Sequence, residues 1–298
     1  MAVATITLES SNGDSVVVSA PNDEFLDSDI ILDTNPDGIY DTGFTVRTQS
    51  GAFEKGGRIV GESVPIRELT LPFWLTPASR PRFQQLWGTP GNFRKVRWHY
   101  DGPSGRRSLT LRLAKQITYT TEDGFDAAID DVYHAVVVAL ALNPMYEGPE
   151  EVQEWVHPGG DGVKTIWFEV WNPTDQELWL EWTFDPGQWM FPDFAFGQER
   201  RWGRTVGQDA ARMIVTPTLT KILSVMSDPM MDTYVNADLS NAAGLFNGVE
   251  PIYPVPPYTG TETNPIGMPV LCNGAAGAKV TLRQRRFWSA ESGLEMAP

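Results

Sequence analysis

Paired carboxylates are the first residues to weigh in this chain, because two acids held across a cleft can hydrolyse a glycosidic bond, one protonating the leaving group and the other serving as base or nucleophile. The candidates are Glu122 with Asp123, Asp130 with Asp131, and Glu177 with Glu181. Nothing in their spacing forces any pair together, and adjacent residues on a strand point to opposite faces. No serine stands in a nucleophile elbow, and no glycine-rich phosphate loop precedes a helix. His99, His134 and His157 are scattered singly without metal spacing, and the lone Cys272 can build neither an internal disulfide nor a thiolate cage. The expectation is no catalytic residue, no cofactor and no metal.

Two other sets of side chains carry binding chemistry. Arg94, Lys95, Arg97, Arg106, Arg107 and Arg112 crowd one stretch of a chain whose net charge is −15. Residues 1–50 are the reverse: Glu9, Asp14, Asp23, Glu24, Asp27, Asp29, Asp33, Asp37 and Asp41 face only Arg47. Such asymmetry suits nucleic acid or contact between copies of the chain. The overall acidity repels a phosphate backbone at long range, and the cations are not interleaved with aromatics as in single-strand binders. Contact between copies explains the pattern equally well, so the six cations are a candidate subunit interface. The second set is Trp167, Trp171 and Trp179, which could stack a sugar ring or dock a protein; burial in a sandwich core is the plainer account of tryptophan.

The elements that must position these groups are mostly strands. Glycine (27), proline (23) and 11 Trp in 298 residues favour many short strands and turns over long helices. The length suits two domains, with a boundary at Asn143-Pro144 through Gly148-Pro149, giving residues 1–147 and 148–298. Residues 2–8 and 16–18 read as a hairpin around Ser11-Asn12-Gly13-Asp14. From Val64 to Leu75 a strand runs with a slip of parity near Arg67-Glu68. One short helix follows, with Ser79 as cap, Pro81 in the first turn, Phe83, Leu86 and Trp87 on one face, and Gly88 as stop. Residues 94–100 and 107–113 form a hairpin with Leu109, Leu111 and Leu113 inward and a basic outer face. Residues 133–142 are apolar on both parities, as in a central strand. Open strand edges in this half invite pairing with another chain.

In the second half, Ile166, Phe168 and Val170 read as paired with Trp182, Leu180 and Leu178 around a loop at Asn172–Gln176, with the three tryptophans on the opposite face. Trp189, Phe191, Phe194, Phe196 and Trp202 occupy an irregular segment. Strands near 213, 234 and 278 and a proline-rich loop complete a β-sandwich. The start lacks a leader pattern and no window has the length of a bilayer span, so we expect cytosol-like conditions or carriage within something larger.

This order of elements resembles a known family. Gly38-Ile39-Tyr40-Asp41, the strand through Gly57, Gly61, Pro65 and Arg67, the short helix before a basic hairpin, and the strand ending at Asn143-Pro144 resemble the N-terminal ring domain of siphophage distal tail proteins, most of all those found as minor tail proteins of actinobacterial phages. The Asn172-Pro173 turn, Asp209 with Arg212 leading into Pro217, Asn236 with Asp238 and Leu239, and a last strand near Trp288 are similar to the galectin-like sandwich of the same family. The resemblance implies a mainly β chain: a split-barrel-like ring domain with one short helix, then a galectin-like domain. It also implies a structural virion protein of the phage tail tip, assembled in the host cytoplasm as a hexameric ring. That ring would join the tail tube protein to the tail hub or tail-associated protein, let the tape measure protein and DNA pass without specific binding, and dock host-adsorption proteins, with no membrane insertion. The other function class is a carbohydrate-binding module directed at a cell surface.

Overall fold

Alternation in residues 5–19 produces the expected hairpin: β1 (Thr5–Ser10) and β2 (Ser15–Ser19) pair antiparallel, with Ile6, Leu8, Val16 and Val18 buried on one face. The computed structural model describes residues 4–21, 29–53, 55–120 and 132–295. It divides into two compact units, Met1–Gly148 with Trp288–Leu294 and Pro149–Phe287 with Glu295–Pro298.

In the first unit the chain continues through β3 (Ile30–Leu32), β4 (Thr45–Gln49), β5 (Arg58–Ser63), β6 (Arg67–Leu75), α1 (Arg80–Trp87), β7 (Gly88–Thr89), β8 (Asn92–Phe93), β9 (Val96–Gly102), β10 (Gly105–Leu113), β11 (Thr118–Thr120), β12 (Tyr133–Ala141) and β13 (Tyr146–Glu147). The main sheet runs β2-β1-β9-β10-β12-β6-β3, with β11 on β12 and β13 on β10. The border strands β2 and β3 approach within 8 Å at their Cα atoms without forming a ladder. The sheet is thus a nearly closed barrel, and the open borders expected from the sequence are largely brought together within one chain. β12 lies between β10 and β6, which accounts for its apolar character on both parities. Leu71, Phe73, Leu111, Val137 and Trp98 fill the interior with Phe83, Leu86 and Trp87 of α1.

The helix is where the sequence places it, with Ser79 at its N-cap position, but the Ser79 side chain makes no capping bond. Its Oγ instead accepts from the Thr76 N–H (3.0 Å), closing the preceding turn. Ser10 Oγ donates to the Leu86 carbonyl (2.7 Å), which satisfies one of the last-turn acceptors and ties α1 to β1. Gly88 has φ +84°, and a Cβ there would stand 2.3 Å from the Asn92 carbonyl oxygen, so the helix must end on glycine.

The strand expected over 64–75 breaks instead of slipping. Among the described residues β4 and β5 pair only with each other, as a separate two-stranded sheet, and Val64-Pro65-Ile66 separates them from β6. Proline cannot donate to a ladder, which ends pairing there.

The second unit contains β14 (Glu151–Val156), β15 (Lys164–Val170), β16 (Leu180–Phe184), β17 (Gln188–Pro192), β18 (Met213–Val215), β19 (Leu223–Met226), β20 (Tyr234–Asn236), β21 (Ile266–Asn273) and β22 (Lys279–Gln284). They form two sheets, β14-β22-β16-β19-β20 and β15-β21-β17-β18. The expected hairpin of 166–170 with 178–182 does not form: β15 pairs with β21, and β16 lies in the other sheet between β22 and β19. The inward faces are nevertheless as read. Phe168 meets Trp182 edge-on across the sandwich at 5.4 Å between ring centroids, and Phe184 packs on Trp189 at 5.4 Å and Phe191 at 5.2 Å. Each such buried side chain stabilises the unit by about 1.5–3 kcal/mol relative to exposure. The legs of the turn pair with the proline-rich segment instead, Asn172 with Thr259 and Leu178 with Val255.

The outer edge of β15 is sealed by a side chain. Gln153 accepts from the Glu169 N–H (3.0 Å) and donates to the Glu169 carbonyl (2.5 Å), as a neighbouring strand would. A last strand, β23 (Phe287–Trp288), adds to β13. Among the described residues no helix is long and apolar enough to cross a membrane.

Candidate functional site

On the β9–β10 hairpin the parity rule sorts the cations. Arg106 and Arg112 alternate with Ser108 and Thr110 on the outer face, whereas Arg107 shares the parity of Leu109 and Leu111 and points inward. Arg107 is buried, lies over the Trp288 ring at 4.5 Å, and donates to the carbonyls of Ala290 (2.8 Å) and Gly293 (2.7 Å). It is an internal clamp on residues 288–293, and we withdraw it from the candidate interface. Three more of the six have partners in the same chain: Arg97 with Glu147 (2.7 Å), Arg106 with Asp101 (2.7 Å), and Arg94 with the Gln85 carbonyl (2.7 Å). Lys95 and Arg112 are exposed. Cross-strand register explains the loss, since Arg106 stands opposite Asp101 in the ladder.

The same face holds Glu9, His99 and Ser108 in a row. His99 Nδ1 lies 2.7 Å from Ser108 Oγ, and Nε2 lies 2.8 Å from Glu9 Oε2. A hydrolytic triad would put the serine on Nε2 and the acid on Nδ1. Here the order is reversed and both His99 and Ser108 are buried, so the row reads as a hydrogen-bonded cross-tie over β1, β9 and β10. Of the carboxylate candidates, Glu177 is bonded to Arg201 and Glu181 lies 3.3 Å from Arg285. Glu122, Asp123, Asp130 and Asp131 lie outside the described residues, as do Asp23, Glu24 and Asp27 of the acidic segment. Among the described residues no cluster of three or more His, Cys, Asp or Glu side chains could hold a metal.

The three tryptophans do not share one sheet face. Trp167 sits on β15 opposite Pro269, 67% exposed; a separate groove of about 160 Å³ in the same sheet is lined by Val163, Gln188, Met190, Val215, Leu271 and Asn273. Trp179 precedes β16 of the other sheet and is half-buried. Trp171 is half-buried beneath the Arg286 guanidinium, 4.2 Å from its ring centroid.

The surface that the sequence reading passed over is the β4–β5 arm. Phe44 is 72% exposed and Ile59 62%, and Tyr40, Phe53, Val60, Val64 and Ile66 are exposed as well. A lone two-stranded hairpin is marginal in water, and contiguous exposed apolar side chains mark an interaction surface. The signal was present as apolar residues on both sides of the glycine-rich turn at 51–57.

The two legs of the arm meet at Arg67. Its guanidinium donates to the carbonyls of Tyr40 (2.9 Å) and Ser289 (2.9 Å) and to Thr42 Oγ1, and lies 4.9 Å from the Tyr146 ring centroid. Thr42 donates to the Ser289 carbonyl from Oγ1 (2.6 Å) and from its backbone N–H (2.9 Å). Burial holds the Arg67 guanidinium below its ordinary pKa and pushes the Tyr146 phenol well above its own. The Tyr146 hydroxyl donates to the Ile39 carbonyl (2.5 Å).

No family model and no curated protein matches the sequence. Solved structures do match in fold. The SPP1 Dit (gp 19.1) protein, described as a paradigm of the hub adsorption apparatus in phages infecting Gram-positive bacteria, superposes with a TM-score of 0.56 at 12% identity, over 95% of this chain and 98% of that one. The phage P2 baseplate in its activated conformation with Ca gives a TM-score of 0.47 at 10% identity, over 94% and 98%.

Proposed function

We propose that this chain is a structural subunit of a long-tailed phage tail tip, a distal tail protein whose copies close into a hexameric ring between tail tube and hub. The observation that carries this reading is the arm: a hairpin with two unpaired edges and apolar side chains in water, on a barrel whose own borders nearly meet. Such an arm is completed by a neighbour adding strand or apolar surface to it. A head-to-tail contact of this kind closes into a ring when the rotation between copies allows. The fold shared with the SPP1 Dit protein supports the same assignment, with the second unit, residues 149–287, as a galectin-like platform for host-adsorption proteins. The net charge of −15 would let DNA and the tape measure protein pass without adhering. Lys95 and Arg112 remain the cations available to a neighbour's acidic surface. Sedimentation velocity with negative-stain imaging over a range of concentrations tests this. Closed six-fold particles are expected, and a monomer at every concentration overturns it.

The exposure of Trp167 favours a second reading, a saccharide site on the outer face of the β15 sheet. An aromatic ring can carry a pyranose. Titration of cell-wall saccharides against tryptophan fluorescence should give saturable quenching that Trp167→Ala abolishes; quenching equal in both proteins, or none in either, removes this reading.

A further inference from the structure

The arm is fastened at its base by a segment distant in sequence. Its incoming leg ends at Tyr40 and Thr42, its outgoing leg at Arg67, and Arg67 and Thr42 converge on one acceptor, the Ser289 carbonyl. That acceptor is held in turn by the clamp on either side of it. Arg107 lies over Trp288 and binds the carbonyls of Ala290 and Gly293. Gly148 gives Trp288 its seat: a Cβ at 148 would stand 2.3 Å from the indole ring. We propose that the segment Trp288–Leu294 is a brace that sets the direction of the β4–β5 arm through Arg67 and Thr42, so that the arm is competent to dock only while this segment is seated.

The physical case is preorganisation. A hairpin joined to a barrel by two short single-chain legs samples many directions, and each must be given up on docking. Donor hydrogen bonds from a buried guanidinium to carbonyls of both the leg and the brace restrict those directions in advance. Arg67 and Thr42 are positioning residues here; the docking contacts belong to the arm. The inference rests on the assembly reading, since an arm with nothing to dock needs no aim.

The test uses a dye at the arm turn, introduced as Phe53→Cys; the native Cys272 is buried and reacts little. Time-resolved anisotropy of dilute monomer then reports how far the arm swings. Thr42→Val, which removes one hydroxyl from a half-buried side chain, and deletion of 289–298, which keeps Trp288, are compared with the parent. Near-UV circular dichroism selects the folded variants, and Thr42→Val decides if the deletion unfolds the barrel. The expected result is residual anisotropy lowered about twofold with weakened self-association. Unchanged anisotropy, or freed arms that associate as the parent does, overturns the brace. Should the parent itself never associate, the ring reading fails while the anisotropy comparison still decides this one.

Discussion

Replacing residues 45–63 by a short glycine linker should leave both units folded and abolish self-association. The excised hairpin pairs with no other strand, so the ladders of the barrel survive its loss. What disappears is the exposed apolar surface of Phe53, Ile59 and Val60, together with two strand edges that pair with no other strand among the described residues. At about 25 cal/mol per Å² of apolar surface buried, a few hundred Å² of arm would supply several kcal/mol per contact, and a ring repeats that contact at every joint. The loss should exceed about a hundredfold in association constant, read by sedimentation, with far-UV circular dichroism reduced only by the missing strands. A milder pair, Phe44→Ser with Ile59→Ser, should lower association without changing monomer secondary structure. If the deletion variant assembles normally, the arm is not the joint.

The second large effect concerns the loops of the sandwich. Asp193 is buried and accepts from the backbone N–H groups of Ile252 (3.1 Å) and Tyr253 (3.1 Å) and from Arg212. Beside it the Tyr253 hydroxyl donates to Asp209 (2.7 Å), and burial together with that bond pushes the phenol up to about 12. Asp193→Ala takes the carboxylate from the Arg212 guanidinium, which keeps the Glu250 carbonyl, and from two backbone amides, and should destabilise this unit by about 3–5 kcal/mol. In calorimetry that corresponds to a midpoint lowered by roughly 10–15 °C. Asp193→Asn should cost less, about 1–2 kcal/mol. Burial outweighs the Arg212 attraction and raises the Asp193 pKa, so the charged carboxylate itself carries a desolvation cost that the amide avoids while keeping an acceptor. Equal losses for Ala and Asn would contradict this account.

What the sequence conveyed most directly was which face of each strand is buried. Leu109 and Leu111, and Phe168, Val170, Leu180 and Trp182, all point inward as alternation predicts. It conveyed partners less well, because alternation is blind to which sheet a strand joins. The turn at Asn172 resembles a hairpin loop, yet its legs bond to residues 255–259, and Asn172 Nδ2 donates to the carbonyls of Gln176, Val255 and Pro256. Val255 and Pro256 lie over eighty residues away, beyond any local pattern. Arg107 is legible by parity, since it shares the inward face of Leu109 and Leu111, and a sum of positive charge along the hairpin ignores that face. The arm is hard to read for a related reason: strand-like residues run on both sides of Pro65, and only that proline marks the break that leaves β5 outside.

Gln153 carries a last consequence. A carboxamide that pairs with the Glu169 backbone as a strand would takes one rung of that border away from a passing peptide, which lessens the tendency of such sandwiches to pair edge to edge.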